Sequence, residues 1–309
     1  MDASPSRSAA LTRAKLDRRN RLIGIGLMCG ALICFSCLDA TAKWLNRSFD
    51  PLFTVWWRYT ASIALVTLFI NPATRPGVYR TNRLALQVVR SVLLFLSTAL
   101  NFFALRYLQL VETMSIMFAT PLLVALLAGP LLGEWVGPRR LVAIGVGFLG
   151  VLIITRPGIG SMHPAVLLSV AGTFAYAFYS ITTRILAAHD SSETTMVYSG
   201  LAGMALMTPV LPFVWTNPGS PAAWLEFIAL GAFGAIGHWL LILAHARAPA
   251  AILSPFIYTQ ILWMLALGYL IFSDWPDLVT LIGAGVVIAS GLYLLYRERV
   301  RRLDPTVQP

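Results

Sequence analysis

Ten stretches of about twenty predominantly apolar residues, joined by short polar connections, leave this chain little choice but to fold across a lipid bilayer. They run approximately over 22–46, 53–70, 84–105, 110–132, 140–156, 164–187, 194–215, 222–246, 249–272 and 276–296, with Gly, Pro and charge clusters at their ends. Charged residues make up 12% of the 309, against roughly 25% in a soluble globular chain. Too few residues lie outside the spans to build a separate soluble core, so an extramembrane catalytic domain is excluded. The expected fold is an all-α integral membrane protein with ten transmembrane helices.

The distribution of basic residues orients the spans. With ten crossings both chain ends lie on one side. That side collects Arg7, Arg13, Lys15, Arg18, Arg19 and Arg21, then Arg75, Arg80, Arg83, Arg139, Arg140, Arg184 and Arg247, and finally Arg297, Arg299, Arg301 and Arg302. The opposite side holds Arg47, Arg106 and Arg156. Such a bias predicts both termini in the cytoplasm of a bacterial-type inner membrane, as basic tails over 1–21 and 297–309. The net charge of +10 abuts apolar spans, so anionic lipid headgroups explain it and nucleic acid is not expected as a partner. Asp39 and Lys43 interrupt the first run, which is long enough to span and reads as a retained helix rather than a cleaved leader. Cys34 and Cys37 have C-x-x-C spacing but sit with Cys29 inside that apolar helix, where small packing residues are expected rather than a metal or redox pair.

The chain also repeats itself. Displacing it by 140 residues lays Gly133-Glu134-Trp135 over Ser273-Asp274-Trp275 and Gly145 over Gly285, and a displacement of 141 lays Lys43 over Arg184. The repeating unit, 22–158 and then 164–296, holds five spans. Five is odd, so the second unit enters the membrane from the opposite face and the halves form an inverted pair. Two equivalent inverted halves can exchange conformations around one central site, which is the geometry of alternating access.

Asn101-Phe-Phe-Ala-Leu-Arg-Tyr107, Ala119-Thr-Pro121, Gly133-Glu134 and the Gly-rich fifth span ending Thr155-Arg-Pro-Gly158 resemble an EamA domain of the drug/metabolite transporter superfamily, in its ten-helix branch. Ser254-Pro255, Tyr258 and the run 268–275 resemble the same unit in the second half. Asp39-x-x-x-Lys43 and Trp56-Trp57-Arg58 are further similar to a bacterial subgroup that includes carriers of S-adenosylmethionine and riboflavin. The resemblance implies a secondary carrier with a substrate cavity between the halves.

Ionisable residues within spans cost about 2.5–3.5 kcal/mol each on insertion scales and are the first candidates for function. Asp39 and Lys43 are four residues apart on one helical face, so carboxylate and ammonium are placed to meet. Asp39 lies roughly 10 Å inside its helix end and Arg58 roughly 7 Å inside the neighbouring one, a common layer. Two readings stand: a self-neutralising pair with Lys43 snorkelling to the outer interface, or an ionic cluster in which Asp39 binds a proton or engages the substrate. Arg90 lies about two turns inside the third span, on the face of Asn101, where it meets either an anionic substrate group or a lipid phosphate. Trp57, Tyr176, Tyr179, Tyr258 and Gln260 complete the candidates, the aromatics for stacking on a flat or cationic ligand and Gln260 because an unpaired amide is costly in lipid. Glu112 is expected to cap the fourth span, Glu134 and Asp274 to anchor span ends, and His238 and His245 to pack in the core.

These residues fit a carrier of a small organic metabolite that uses no cofactor or metal, with lipids as neighbours and a homodimer compatible with the reading. The competing classes are an integral membrane enzyme acting on lipids and a passive channel. No nucleophile, base and orienter can be assembled for the first.

Overall fold

The structure is a computed structural model describing residues 5–133, 135, 137–156, 163–248 and 250–303. Glu134 and residues 157–162 lie outside these, so one of the repeat landmarks and the segment joining the repeats are not characterised. Every regular element among the described residues is a helix, and none is a strand. The chain is a multi-pass membrane protein.

The first half contains α1 (Pro5–Leu45), α2 (Pro51–Phe69), α3 (Leu84–Leu105), α4 (Leu110–Met117), α5 (Thr120–Leu132) and α6 (Pro138–Thr155). The second contains α7 (Ala165–Leu186), α8 (Ser192–Met207), α9 (Leu211–Val214), α10 (Pro221–Arg247), α11 (Ala250–Leu253), a 3-10 turn (Ser254–Thr259), α12 (Gln260–Phe272) and α13 (Leu278–Leu303). Helix starts follow the sequence. Asp50 accepts the Leu52 amide at 2.8 Å with Pro51 in the first turn, Ser191 and Ser220 cap α8 and α10, and Gln109 and Glu112 form a reciprocal capping box on α4. Glu112 therefore caps, as expected. Both basic tails are helical where described, because α1 begins at Pro5 and α13 runs to Leu303.

Among the described residues nine helical stretches are long and apolar enough to cross a bilayer by themselves. The seventh expected span, 194–215, is divided into α8, with 16 residues, and the short α9. Sixteen residues rise about 24 Å, short of a hydrocarbon core of about 30 Å, which is why this crossing falls below the length of the others. Large apolar side chains such as Phe69, Val142, Leu167 and Leu270 are exposed on the outside of the bundle, where lipid is the solvent.

Helix packing carries the imprint of the inverted repeat. Helix α3 of the first half packs on α7 and α8, while its counterpart α10 packs on α1 and α2. Each half thus embraces the other in the same way. The fourth span breaks between α4 and α5, beside Pro121, and the ninth breaks at the 3-10 turn, beside Pro255, since proline cannot supply the helical amide bond. Phe118 and Tyr258, 140 residues apart, meet at these breaks with ring centroids 5.0 Å apart. A contact between two residues exchanged by the repeat maps onto itself, so it marks the axis relating the halves.

The second contact near that axis is between α6 and α13. A Cβ on Gly150 would meet the Gly283 carbonyl at 2.9 Å, and one on Gly283 would meet the Gly150 carbonyl at 2.9 Å, whereas a Cβ on Gly145 or Gly285 would meet nothing. The aligned Gly145 and Gly285 therefore do not make the close approach; Gly150 and Gly283 do. Ser290 reinforces it by donating to the Ala143 carbonyl. Gly150→Val is expected to separate the two helices and destabilise the fold by about 1–3 kcal/mol, the usual cost of overpacking. Thermal unfolding in detergent measures this, with Gly145→Val as the control in the same helix.

Candidate functional site

Between the halves lies a cavity of about 410 Å³ to which α1, α2, α3, α4, α5, α7, α10 and α12 all contribute. Its polar lining consists chiefly of Asp39, Arg58, Asn101, Thr120, His238 and Gln260, set among Phe35, Met114, Met117, Phe118 and Ile257. A second cavity of about 230 Å³ shares Arg58, Leu94, His238 and Leu241 with it and reaches Asp190 in the connection between α7 and α8 and Ser192 at the start of α8, on the side of the chain ends.

Helix α1 brings Asp39 to the cavity, where Oδ1 accepts a hydrogen bond of 3.1 Å from the Asn101 amide on α3. Arg58, on α2, is 8% exposed, has its Cζ 4.4 Å from the Tyr59 ring centroid, and lines both cavities. Its Nε is buried without a hydrogen-bond partner among the described residues. Gln260 is 6% exposed and faces the main cavity with no side-chain hydrogen bond among the described residues. Thr120, its counterpart 140 residues earlier, also lines the cavity, with a buried Oγ1 that lacks a partner. Buried polar groups are seldom left unpaired without a reason, so the cavity concentrates unused donors and acceptors.

The expected pairing of Asp39 with Lys43 is not formed. The Lys43 ammonium instead donates to Asp274 Oδ2 at 2.6 Å and to the Leu108 carbonyl at 2.9 Å, with the Phe272 ring centroid 5.0 Å away. Helical spacing places Asp39 and Lys43 on one face, but the acceptors contributed by the α3–α4 and α12–α13 connections satisfy the ammonium more completely. Lys43 thus neither snorkels nor enters the cavity, and Asp274 is an ion-pair partner rather than an interfacial anchor. On the same side of the membrane Arg156, at the end of α6, pairs with Asp277 before α13. The hydrogen bonds of Asp277 from Arg156 and Thr280 hold its carboxyl down at about 2, so it stays ionised throughout the physiological range. Both ion pairs join the first half to the second on the side away from the chain ends.

Arg90 is committed to protein rather than lipid. Its Nε donates to Thr183 at 2.8 Å, one terminal nitrogen to Ser199 at 2.6 Å and to the Thr195 carbonyl at 3.2 Å, and the other to the Tyr179 hydroxyl at 2.9 Å. It pins α3 to α7 and α8 and forms one wall of the smaller cavity. Tyr176 lines the main cavity and Tyr179 the smaller one, their ring centroids 5.2 Å apart. Trp57 lies outside both cavities, in an edge-to-face cluster with Phe53, Trp56 and Trp224 that fastens α2 to α10. Tyr258 is likewise turned away from the cavity, packed on Phe118 at the axis, and its hydroxyl is buried without a partner. Thr120 was not among the candidates, although the 140-residue displacement lays it over Gln260. His238 was expected in the core and instead borders both cavities, its ring edge-to-face with Phe35. Cys29, Cys34 and Cys37 are free and partly buried. Among the described residues no group of three or more His, Cys, Asp or Glu is arranged to hold a metal.

Comparison with known proteins matches this architecture twice along the chain. A model of the EamA-like transporter family fits residues 22–156 and again 163–297. The S-adenosylmethionine uptake transporter of Rickettsia felis is 25% identical over 278 residues, covering 90% of this chain and 94% of that protein. The riboflavin transporter of Vibrio cholerae is 27% identical over 289 residues, covering 91% and 95% respectively. A solved crystal structure, 19% identical, aligns with a TM-score of 0.60 over 89% of this chain and 98% of its own, which establishes a common fold.

Proposed function

The chain belongs to the EamA-like transporter family, and from that membership we propose that it is a secondary active carrier of a small organic metabolite working by alternating access. The observation that carries the reading is the central cavity. It lies between the inverted halves, beside the axis where Phe118 meets Tyr258, and it adjoins a second cavity extending toward the side of the chain ends. On the other side Lys43 and Asp274 link the two halves. In this reading the structure is the inward-facing state, with both termini in the cytoplasm of a bacterial inner membrane. Rocking of the halves breaks the Lys43–Asp274 link and exposes the same cavity to the outside.

The volume of about 410 Å³ suits a metabolite of moderate size. The relatives named for S-adenosylmethionine and riboflavin put adenosyl and flavin compounds first among those to try. If protons drive the cycle, Asp39 is the acid in the cavity to receive them.

Counterflow in proteoliposomes tests the proposal. Preloading with unlabelled substrate is expected to accelerate entry of the labelled compound. Entry indifferent to preloading would mark a channel, and chemical conversion of the compound would mark an enzyme.

A further inference from the structure

The main cavity holds two opposite charges that do not neutralise each other directly. Asp39 is engaged by Asn101, and Arg58 rests on Tyr59 with Nε unpartnered. Among the described residues the salt bridges are Lys43–Asp274 and Arg156–Asp277, so no oxygen of Asp39 comes within 4.0 Å of an Arg58 nitrogen. Both side chains nevertheless border the same space. A guanidinium more than nine-tenths buried, with a donor pointing at no protein acceptor, is costly unless something else completes it. An acidic substrate would satisfy Arg58 but be repelled by Asp39, and a cationic one would meet the reverse. A molecule carrying both charges satisfies both, and brings no net charge into the low-dielectric centre of the membrane.

We propose that the cavity takes a zwitterionic substrate, whose anionic oxygen group is held by the Arg58 guanidinium and whose cationic nitrogen is held by the Asp39 carboxylate. The repeat-related Thr120 and Gln260, both lining the cavity and Thr120 Oγ1 without a partner among the described residues, supply neutral hydrogen bonds to the part of the molecule nearest the axis. Phe35, Met114, Met117 and Phe118 surround its apolar remainder. Carboxylate recognition suits Arg58 because a guanidinium offers paired donors in the plane of the two oxygens. The inference deepens the carrier reading and rests on it.

The test uses the purified full-length chain and a panel of α-amino acids and their S- and N-substituted derivatives, each beside its decarboxylated amine and its deaminated acid. Binding is followed by thermal shift and titration. At least one zwitterion is expected to bind with both single-charge analogues about 10- to 100-fold weaker, the loss of a charged hydrogen bond. Arg58→Gln is expected to abolish the preference for the zwitterion over the amine while leaving amine binding in place. Asp39→Asn is expected to abolish the preference over the acid, and Arg58→Lys to recover part of the carboxylate preference. Retained amine binding in Arg58→Gln also establishes that the variant is folded. The proposal is overturned if no zwitterion binds, if an uncharged or singly charged compound binds best, or if Arg58→Gln weakens zwitterion and amine alike. Counterflow keeps the two levels apart: trans-stimulation by an uncharged compound would overturn the zwitterion and leave the carrier standing, whereas binding without trans-stimulation would overturn the carrier.

Discussion

Lys43→Ala should cut transport at least tenfold and make the cavity reachable from outside the cell. In the parent protein Lys43 spans the two halves, bonding Asp274 of the second half and the Leu108 carbonyl of the first, with side-chain exposures of 12% and 27% for the ion pair. Removing one member leaves the other carboxylate or ammonium partly desolvated, at a cost of about 3–5 kcal/mol for a fully buried pair and less here because Asp274 keeps some contact with water. Even about 2 kcal/mol is a roughly 30-fold change in the balance between two conformations. A single cysteine at Ser97, which borders the cavity, would report it. An impermeant thiol reagent should label Ser97→Cys from outside much faster in the Lys43→Ala background. The reversed pair, Lys43→Asp with Asp274→Lys, should restore part of both transport and protection. Unchanged labelling in Lys43→Ala would mean that the ion pair is mere packing.

Asp39→Asn should lower uptake by about 100-fold or more with little change in protein level. The substitution preserves shape and leaves a carbonyl to accept from the Asn101 amide, now at 3.1 Å from the carboxylate. What it removes is the one acidic charge among the described residues bordering the main cavity. A charged hydrogen bond is worth about 1.5–3 kcal/mol, and loss of a coupling group would add to that. Uptake, protein level and melting temperature should be measured together. Normal transport would remove Asp39 from the mechanism, and a collapse in melting temperature would assign it a structural role instead.

Much of this protein can be read directly from its residues. The spans follow from runs of apolar residues because a bilayer leaves no other solution for the backbone. The five-helix unit follows from the 140-residue displacement, and with it the inverted relation of the halves. The breaks beside Pro121 and Pro255 were not expected, since both spans read as unbroken apolar runs. Asp39, Arg58, Asn101 and Gln260 also emerge early, because polar groups inside spans are expensive enough to need a purpose. The partners of those groups do not. Lys43 sits four residues from Asp39 yet bonds Asp274, 231 residues away, since helical spacing brings two side chains within reach but does not decide where each one finishes. Trp57 is adjacent to Arg58, and neighbours in a helix point about 100° apart, so one enters the aromatic cluster while the other enters the cavity. Arg90 and Tyr179 similarly became a clamp between helices, which no spacing could reveal.

Composition, run length and internal repetition by themselves determined that the chain crosses the membrane as two inverted five-helix halves, because lipid admits few backbone arrangements and an odd repeat reverses direction. Only the tertiary structure decided which charges pair across the two halves and which are left facing the cavity. That choice depends on groups far apart in sequence arriving at the same point, and on the competition among them for each buried donor and acceptor.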